Sequence, residues 1–304
     1  MNKLNIIKTQ FCLGISKPLD ILNKNTRKLI NFALDNNLYI HTSISYPVNF
    51  FFIKYFLDKN RKKKINFICK ILADNSKNFR ETINLTLKKF SIEKIHILQL
   101  INLPVSNDEN RDISSLNMLE FNKIINLIKE LKKKNLIDKV YVQIFSKDNL
   151  EFCIKISNYF DGFAFYSNIN EIHLKKDVYE FIKKNNIPSM LLSVFGNPKE
   201  KKITNNLHLD SYKFSQSYFS DNTIAVGRTL NIDRLKDIVI NNKVSNPKFS
   251  PNFTETNEIQ DTAKNFYNRY KVTNLFYIFI FLIKCLIKKV IGQKAVLYLK
   301  KIYK

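Results

Sequence analysis

The chain has 304 residues, 45% of them hydrophobic, 25% charged and 13% aromatic, which is enough apolar side chain to fill a large core and excludes a disordered chain. Its five glycines (Gly14, Gly162, Gly196, Gly227, Gly292) stand too far apart to build a glycine-rich phosphate loop, so a P-loop and a dinucleotide fingerprint are excluded. The net charge is +24, but abundant Lys, Asn, Ile and Phe beside scarce Gly, Trp and Met is the usage of an AT-rich genome. With no zinc knuckle or RNA-binding aromatic signature, no nucleic-acid partner is expected.

Four cysteines (Cys12, Cys69, Cys153, Cys285) lie tens of residues apart without paired spacing, and the four histidines form no HExxH. Neither a disulfide framework nor a metal site is expected, and the thiols suit a reducing compartment. The N-terminus, MNKLNIIKTQFCLG, lacks the apolar core of a signal peptide, so the expected location is cytoplasmic.

Short β-rich apolar runs alternate with longer amphipathic stretches up to about residue 240. The runs are Lys8 to Ser16, Leu38 to Ser43, Ile65 to Ile71, Ile95 to Ile101, Lys139 to Phe145, Gly162 to Ser167, Ser189 to Val194 and Asn222 to Arg228. Between them, apolar residues recur at three and four in Asn25 to Asn36, Ser76 to Phe90, Leu116 to Lys134, Asp148 to Ser157, His173 to Asn185 and Asn231 to Ile240. This alternation is the pattern of a parallel sheet with crossover helices. Eight strand and helix pairs in this length predict an α/β fold, a (β/α)8 TIM barrel, for which about 250 residues is typical. An open doubly wound sheet is the alternative. In a barrel the chemistry gathers where the strands end, so the last residues of each run are the candidates for a site.

Residues 242–261 are polar, contain two prolines and read as a linker after a barrel domain of residues 1–241. Residues 262–304 contain no acidic residue, ten Lys or Arg, and the apolar stretch LFYIFIFLIKCLIKKVI (Leu275 to Ile291). Its uninterrupted apolar part falls short of the roughly 18 residues of a spanning helix. A basic amphipathic helical tail of this kind suits an interfacial anchor, peripheral on the anionic inner face of a membrane. Packing of the tail on the barrel is the alternative.

Several segments carry a resemblance. ALDNNLYIHTSISY (Ala33 to Tyr46) is similar to the second strand of the aldo/keto reductases with its DTAxxY segment, and INFICK (Ile65 to Lys70) to the third strand ending in the family lysine. FRETINLTLKKFSIEKIHILQLINLP (Phe79 to Pro104) resembles the following helix and fourth strand. LIKELKKKNLIDKVYVQIFSKDNLE (Leu127 to Glu151) and IAVGRTLNIDRLKDI (Ile224 to Ile238) resemble the fifth-strand and cofactor-phosphate segments. The resemblance spans nearly all of residues 8–241.

It implies a (β/α)8 barrel, NADP(H) as cofactor and hydride transfer to a carbonyl, with Tyr46 as proton donor and Lys70 beside it. A phenol is a poor acid at neutral pH unless a nearby cation stabilises the phenolate. His41 falls where the family has an Asp, and Ile101 where it has a His. Gln143, Ile144 and Ala164 fall at positions that hold the nicotinamide carboxamide. Gly227, Arg228, Thr229 and Arg234 fall around the adenosine 2′-phosphate, Asp237 at the adenine, and Ser193 with Gly196 in a phosphate-contacting loop. The implied function is an NADP(H)-dependent oxidoreductase with an altered active site. The alternative is a catalytically inactive pseudo-reductase that binds a nucleotide or protein partner at the membrane surface.

Overall fold

Residues buried on both faces make a parallel strand read as an apolar run, and eight such runs become the staves of one closed barrel in the computed structural model. It describes residues 11–15, 24–44, 53, 65–104, 116–195, 207–219, 222–229, 231–240, 251–253, 279 and 283. The barrel strands are β1 (Phe11–Gly14), β2 (Tyr39–Thr42), β3 (Asn66–Leu72), β4 (Ile95–Ile101), β5 (Ile137–Gln143), β6 (Gly162–Tyr166), β8 (Ser189–Leu192) and β9 (Ile224–Gly227). They pair in that order, all parallel, and β9 returns to β1 through Phe11 opposite Ala225 and Leu13 opposite Gly227. The expected (β/α)8 barrel is therefore present, and the open sheet is excluded.

Side chains alternate between two apolar layers along each strand. Cys12, Ile68, Ile97, Tyr141, Ala164, Met190 and Val226 fill the barrel interior. Their neighbours Leu13, Phe67, Leu98, Val140, Val142, Phe163, Phe165 and Ala225 face outward into the layer shared with the helices. Seven described helices supply that outer layer: α1 (Lys24–Asp35), α2 (Ser76–Phe90), α3 (Met118–Lys133), α4 (Leu150–Ser157), α5 (Lys176–Lys184), α6 (Leu207–Tyr218) and α7 (Ile232–Ile240). In α3 the buried stripe is Phe121, Ile124, Ile125, Leu127, Ile128 and Leu131, the spacing of a helix packed along one side.

Asparagine starts several of these helices. Asn75, Asn117 and Asn149 accept hydrogen bonds from the backbone N–H groups of Asn78, Glu120 and Phe152 at the first turns of α2, α3 and α4. Asparagine also serves where glycine is usual: Asn37, Asn102, Asn135 and Asn186, with Ser91 and Ser193, hold the left-handed backbone conformation. A chain with five glycines makes its tight corners with Asn and Ser instead.

Two elements go beyond the expected pattern. Helix α6 has a weak apolar periodicity, and the sequence pattern singles out no helical segment there although a (β/α)8 barrel calls for one. Strand β7 (Glu171–Ile172), in the loop that follows β6, pairs in parallel with β10 (Asn252–Phe253), which lies within the expected linker. The Asn252 N–H donates to the Asn170 carbonyl at 2.8 Å, and the Phe253 ring lies 5.3 Å from that of Tyr179 on α5.

Gly162 permits a close approach between strands: a Cβ there would lie 2.3 Å from the Pro188 carbonyl oxygen, which accepts a hydrogen bond from Phe163 N–H at 2.9 Å. Replacing it with Gly162→Ala forces two backbones apart, and urea denaturation should show a loss of about 2 kcal/mol or more. An unchanged midpoint would mean that the β6–β8 junction is looser than described.

Candidate functional site

Inward parity lifts four polar side chains above the apolar floor of the barrel, at the end where the strands terminate. Tyr39, Ile68, Ile97 and Tyr141 belong to the interior layer. Two residues further along the same strands stand His41, Lys70, Gln99 and Gln143. Register places His41 opposite Ile68 and Lys70 opposite Gln99.

His41, Gln99 and Gln143 do not stand singly. His41 Nε2 lies 2.5 Å from Gln99 Oε1, and Gln99 Nε2 donates to Gln143 Oε1 at 2.9 Å. A polar chain thus runs across β2, β4 and β5. Its members are 7%, 1% and 4% exposed, so each depends on the others for the hydrogen bonds that water would supply. Burial drives the His41 imidazole down to about 4, with the nearby positive charge of Lys70 acting in the same direction and the Gln99 hydrogen bond opposing them. His41 is therefore neutral at pH 7, and repulsion between two cations does not arise at this point.

The end of β2 is tied to its neighbours. Ile15 N–H donates to the His41 carbonyl at 2.8 Å, the Thr42 hydroxyl to the Ile15 carbonyl at 3.1 Å, and the Ser43 hydroxyl to the Lys70 carbonyl at 2.9 Å. Lys70 is half-buried on β3. Tyr46, the expected proton donor, lies outside the described residues. Ile101, at the end of β4, is buried and offers the mouth an apolar surface without a donor.

The candidate phosphate end lies where β9 runs into α7, at the same end of the barrel. Arg228 and Arg234 are exposed. The Thr229 hydroxyl accepts from Asn231 N–H at 3.1 Å and donates to the Asn231 carbonyl at 3.3 Å, while Asn231 Oδ1 accepts from Asp233 N–H at 2.8 Å, so these polar groups shape the entry to α7. Gly227 faces the outer layer, where a Cβ would meet the Phe195 ring at 2.5 Å; that ring stacks on Phe11 at 5.8 Å. Asp237 Oδ2 is 3.1 Å from His208 Nε2, which links α7 to α6. Ser193, after β8, is exposed with a positive φ, and Gly196 lies outside the described residues. Ile144 packs among the helix-facing residues and Ala164 in the interior, so neither offers a polar contact. Among the described residues no group of side chains could hold a metal ion.

Gln99 did not enter the expected site. A lone amide at an inward position of the apolar strand IHILQLI was its signal, and His41 at an inward position two strands away was its partner.

No protein-family model matches this sequence, and no curated protein matches it. Solved structures do match. An aldo-keto reductase from Klebsiella pneumoniae in complex with NADPH aligns over 81% of this chain and 93% of its own, with TM-score 0.60 and 10% identity. Aldose reductase from Giardia lamblia aligns over 86% and 91%, with TM-score 0.58 and 11% identity. An aldo-keto reductase of the silkworm Bombyx mori aligns over 86% and 83%, with TM-score 0.56 and 11% identity. A closed (β/α)8 barrel with polar side chains at the strand ends is the class of protein that the geometry defines. Within that class, the fold is the aldo-keto reductase fold.

The neutral state of His41 has a consequence for acid stability. Its folded value, about 4, lies below the ordinary 6.5, so between those values the unfolded chain binds the extra proton and stability falls as the pH drops. The contribution amounts to about 3 kcal/mol across the window. Urea denaturation near pH 7, 5.5 and 4 should show a steeper loss for the wild type than for His41→Gln, whose amide keeps a donor toward Gln99 and does not titrate. Parallel profiles would contradict a buried neutral His41.

Proposed function

We propose that the chain is an NADP(H)-dependent oxidoreductase that acts on a carbonyl substrate through an altered active site. The observation that carries this reading is the placement of Lys70, His41 and Gln143 together at the strand ends of a barrel with the aldo-keto reductase fold. Arg228 and Arg234, exposed at the same end, suit bidentate contacts to the 2′-phosphate of the cofactor. Tyr46 donates the proton to the carbonyl oxygen, and the Lys70 ammonium stabilises the phenolate that remains. Ser193 and Gln143 belong to the loops and strand ends that border the cofactor. When bound, NADPH supplies the hydride.

A second reading has its own observation. His41 stands uncharged where an Asp would orient Lys70, and buried Ile101 stands where a donor would meet the carbonyl. Both favour a pseudo-reductase that binds the nucleotide without turnover.

Titrating NADPH by its fluorescence against the full chain separates these readings from a site elsewhere. Arg228→Ala and Arg234→Ala should each weaken NADPH by about tenfold and leave NADH little changed. Equal affinity for both cofactors in wild type and variants would remove the phosphate assignment. Oxidation of NADPH by a panel of aldehydes and ketones, lowered about a hundredfold or more in Tyr46→Phe, supports turnover. Binding without oxidation, with oxidation appearing in the double variant His41→Asp and Ile101→His, supports the second reading.

The basic tail, residues 262–304, we assign to an anionic membrane surface. Among the described residues no helix is long and apolar enough to cross a membrane. Phe279 and Ile283, helical and one turn apart, are both exposed, 60% and 38%. Flotation with vesicles containing phosphatidylserine should carry the full chain and leave behind a chain ending at residue 261. Equal flotation of the two, or none of either, would place the tail elsewhere.

A further inference from the structure

Three buried side chains joined end to end can be wired in only two ways. In the first, His41 carries its proton on Nε2 and donates to Gln99 Oε1, Gln99 Nε2 donates to Gln143 Oε1, and Gln143 is left with its NH2 group for whatever lies beyond. In the second every sense is reversed: His41 is protonated on Nδ1, its Nε2 accepts from Gln99 Nε2, Gln99 Oε1 accepts from Gln143 Nε2, and Gln143 turns its carbonyl outward. Mixed wirings set two acceptors or two donors face to face in a place without water, and are strongly disfavoured. The structure holds the first arrangement, with His41 Nε2 against Gln99 Oε1 and Gln99 Nε2 against Gln143 Oε1.

We propose that Gln99 is a positioning residue that couples the tautomer of His41 to the hydrogen-bonding sense of Gln143, so that the mouth offers amide N–H donors and selects a ligand carbonyl oxygen. Gln99 itself touches no ligand: it is 1% exposed and lies two residues below the end of β4. Gln143 is the last residue of β5, where the chain opens to the mouth. A carbonyl oxygen is presented both by the carboxamide of a nicotinamide cofactor and by an aldehyde or ketone substrate. The assignment of the mouth to such a ligand rests on the oxidoreductase reading above, whereas the coupling among the three side chains does not.

Two substitutions separate wiring from simple support. Gln99→Glu, once ionised, keeps an acceptor for His41 but also confronts Gln143 with an acceptor, so Gln143 then donates inward and turns its carbonyl to the mouth. The variant is measured at a pH where the new carboxyl is shown by carbon NMR to be ionised, because a protonated one donates to Gln143 and keeps the original sense. Gln99→Met keeps the volume and removes both bonds.

Nitrogen NMR of the histidine-labelled full chain should find His41 protonated on Nε2 in wild type and in Gln99→Glu, and a mixture of tautomers in Gln99→Met. The Gln143 side-chain NH2 signals should gain protection from hydrogen exchange in Gln99→Glu. Binding then identifies the source of the carbonyl. If it is the carboxamide, Gln99→Glu weakens NADPH about tenfold or more while 2′,5′-ADP, which lacks the nicotinamide, binds as before. If it is the substrate, NADPH affinity stays and KM for the carbonyl compound rises by a similar factor.

An Nδ1 proton on wild-type His41, or Gln143 NH2 signals unchanged in Gln99→Glu with its carboxyl ionised, overturns the proposal. So does a Gln99→Glu protein with unaltered NADPH affinity and unaltered KM. A wild type that binds no NADPH defeats the reading of the mouth as a cofactor site, and the His41 and Gln143 signals decide the coupling in that case too.

Discussion

Polar side chains inside a closed barrel have no water to turn to, and the hydrogen bonds linking His41, Gln99 and Gln143 meet that constraint from within. Parity on a strand admits no compromise: a residue that faces the interior does so because its neighbours face the helices. Once His41 occupies an inward position on β2, an opposite polar group must stand within reach, and Gln99 on β4 supplies it. The amide then needs a partner for its own N–H, which Gln143 on β5 provides. One buried imidazole thus accounts for two buried amides, and the three make sense only as a set.

The same constraint shapes the electrostatics of the mouth. A carboxylate beside Lys70 would hold the lysine by charge. A neutral imidazole at position 41 brings no negative charge to the site, and Ile101 makes the wall beside it apolar. The strand ends hold a cation, three linked dipoles and an apolar wall. Hydrogen-bond donors and positive charge of this kind suit oxygen atoms of a ligand, which is the ground common to both proposed readings.

Much of the barrel was legible in the chain because parallel strands buried on both faces are written as apolar runs. The segment Ile95–Ile101 and the helix Ser76–Phe90 have the expected bounds, and all eight staves fall within the expected runs or within two residues of them. Helix α6 was not legible, since LHLDSYKFSQSY carries Ser and His where amphipathic helices carry longer apolar residues. The β7–β10 pair was not legible either, because two residues on each side are too short for any periodicity. In the site, Gln143 stood out at the end of its run and His41 and Lys70 through the resemblance, whereas Gln99 matches no position of that resemblance. Its signal was a lone amide in an apolar strand, and only register with the neighbouring strands shows what it touches. The scarcity of glycine told against a phosphate loop yet gave no warning that Asn and Ser would take the left-handed corners.

The return of Asn252–Phe253 to the loop after β6 fixes the point from which the rest of the chain departs. That loop is on the side where the strands end. The segment that follows the last barrel helix therefore passes the side of the molecule where the strands end. Two residues far along the chain thus brace the loop that borders the strand ends of β6, and the rim of the barrel is closed partly by a strand from outside it.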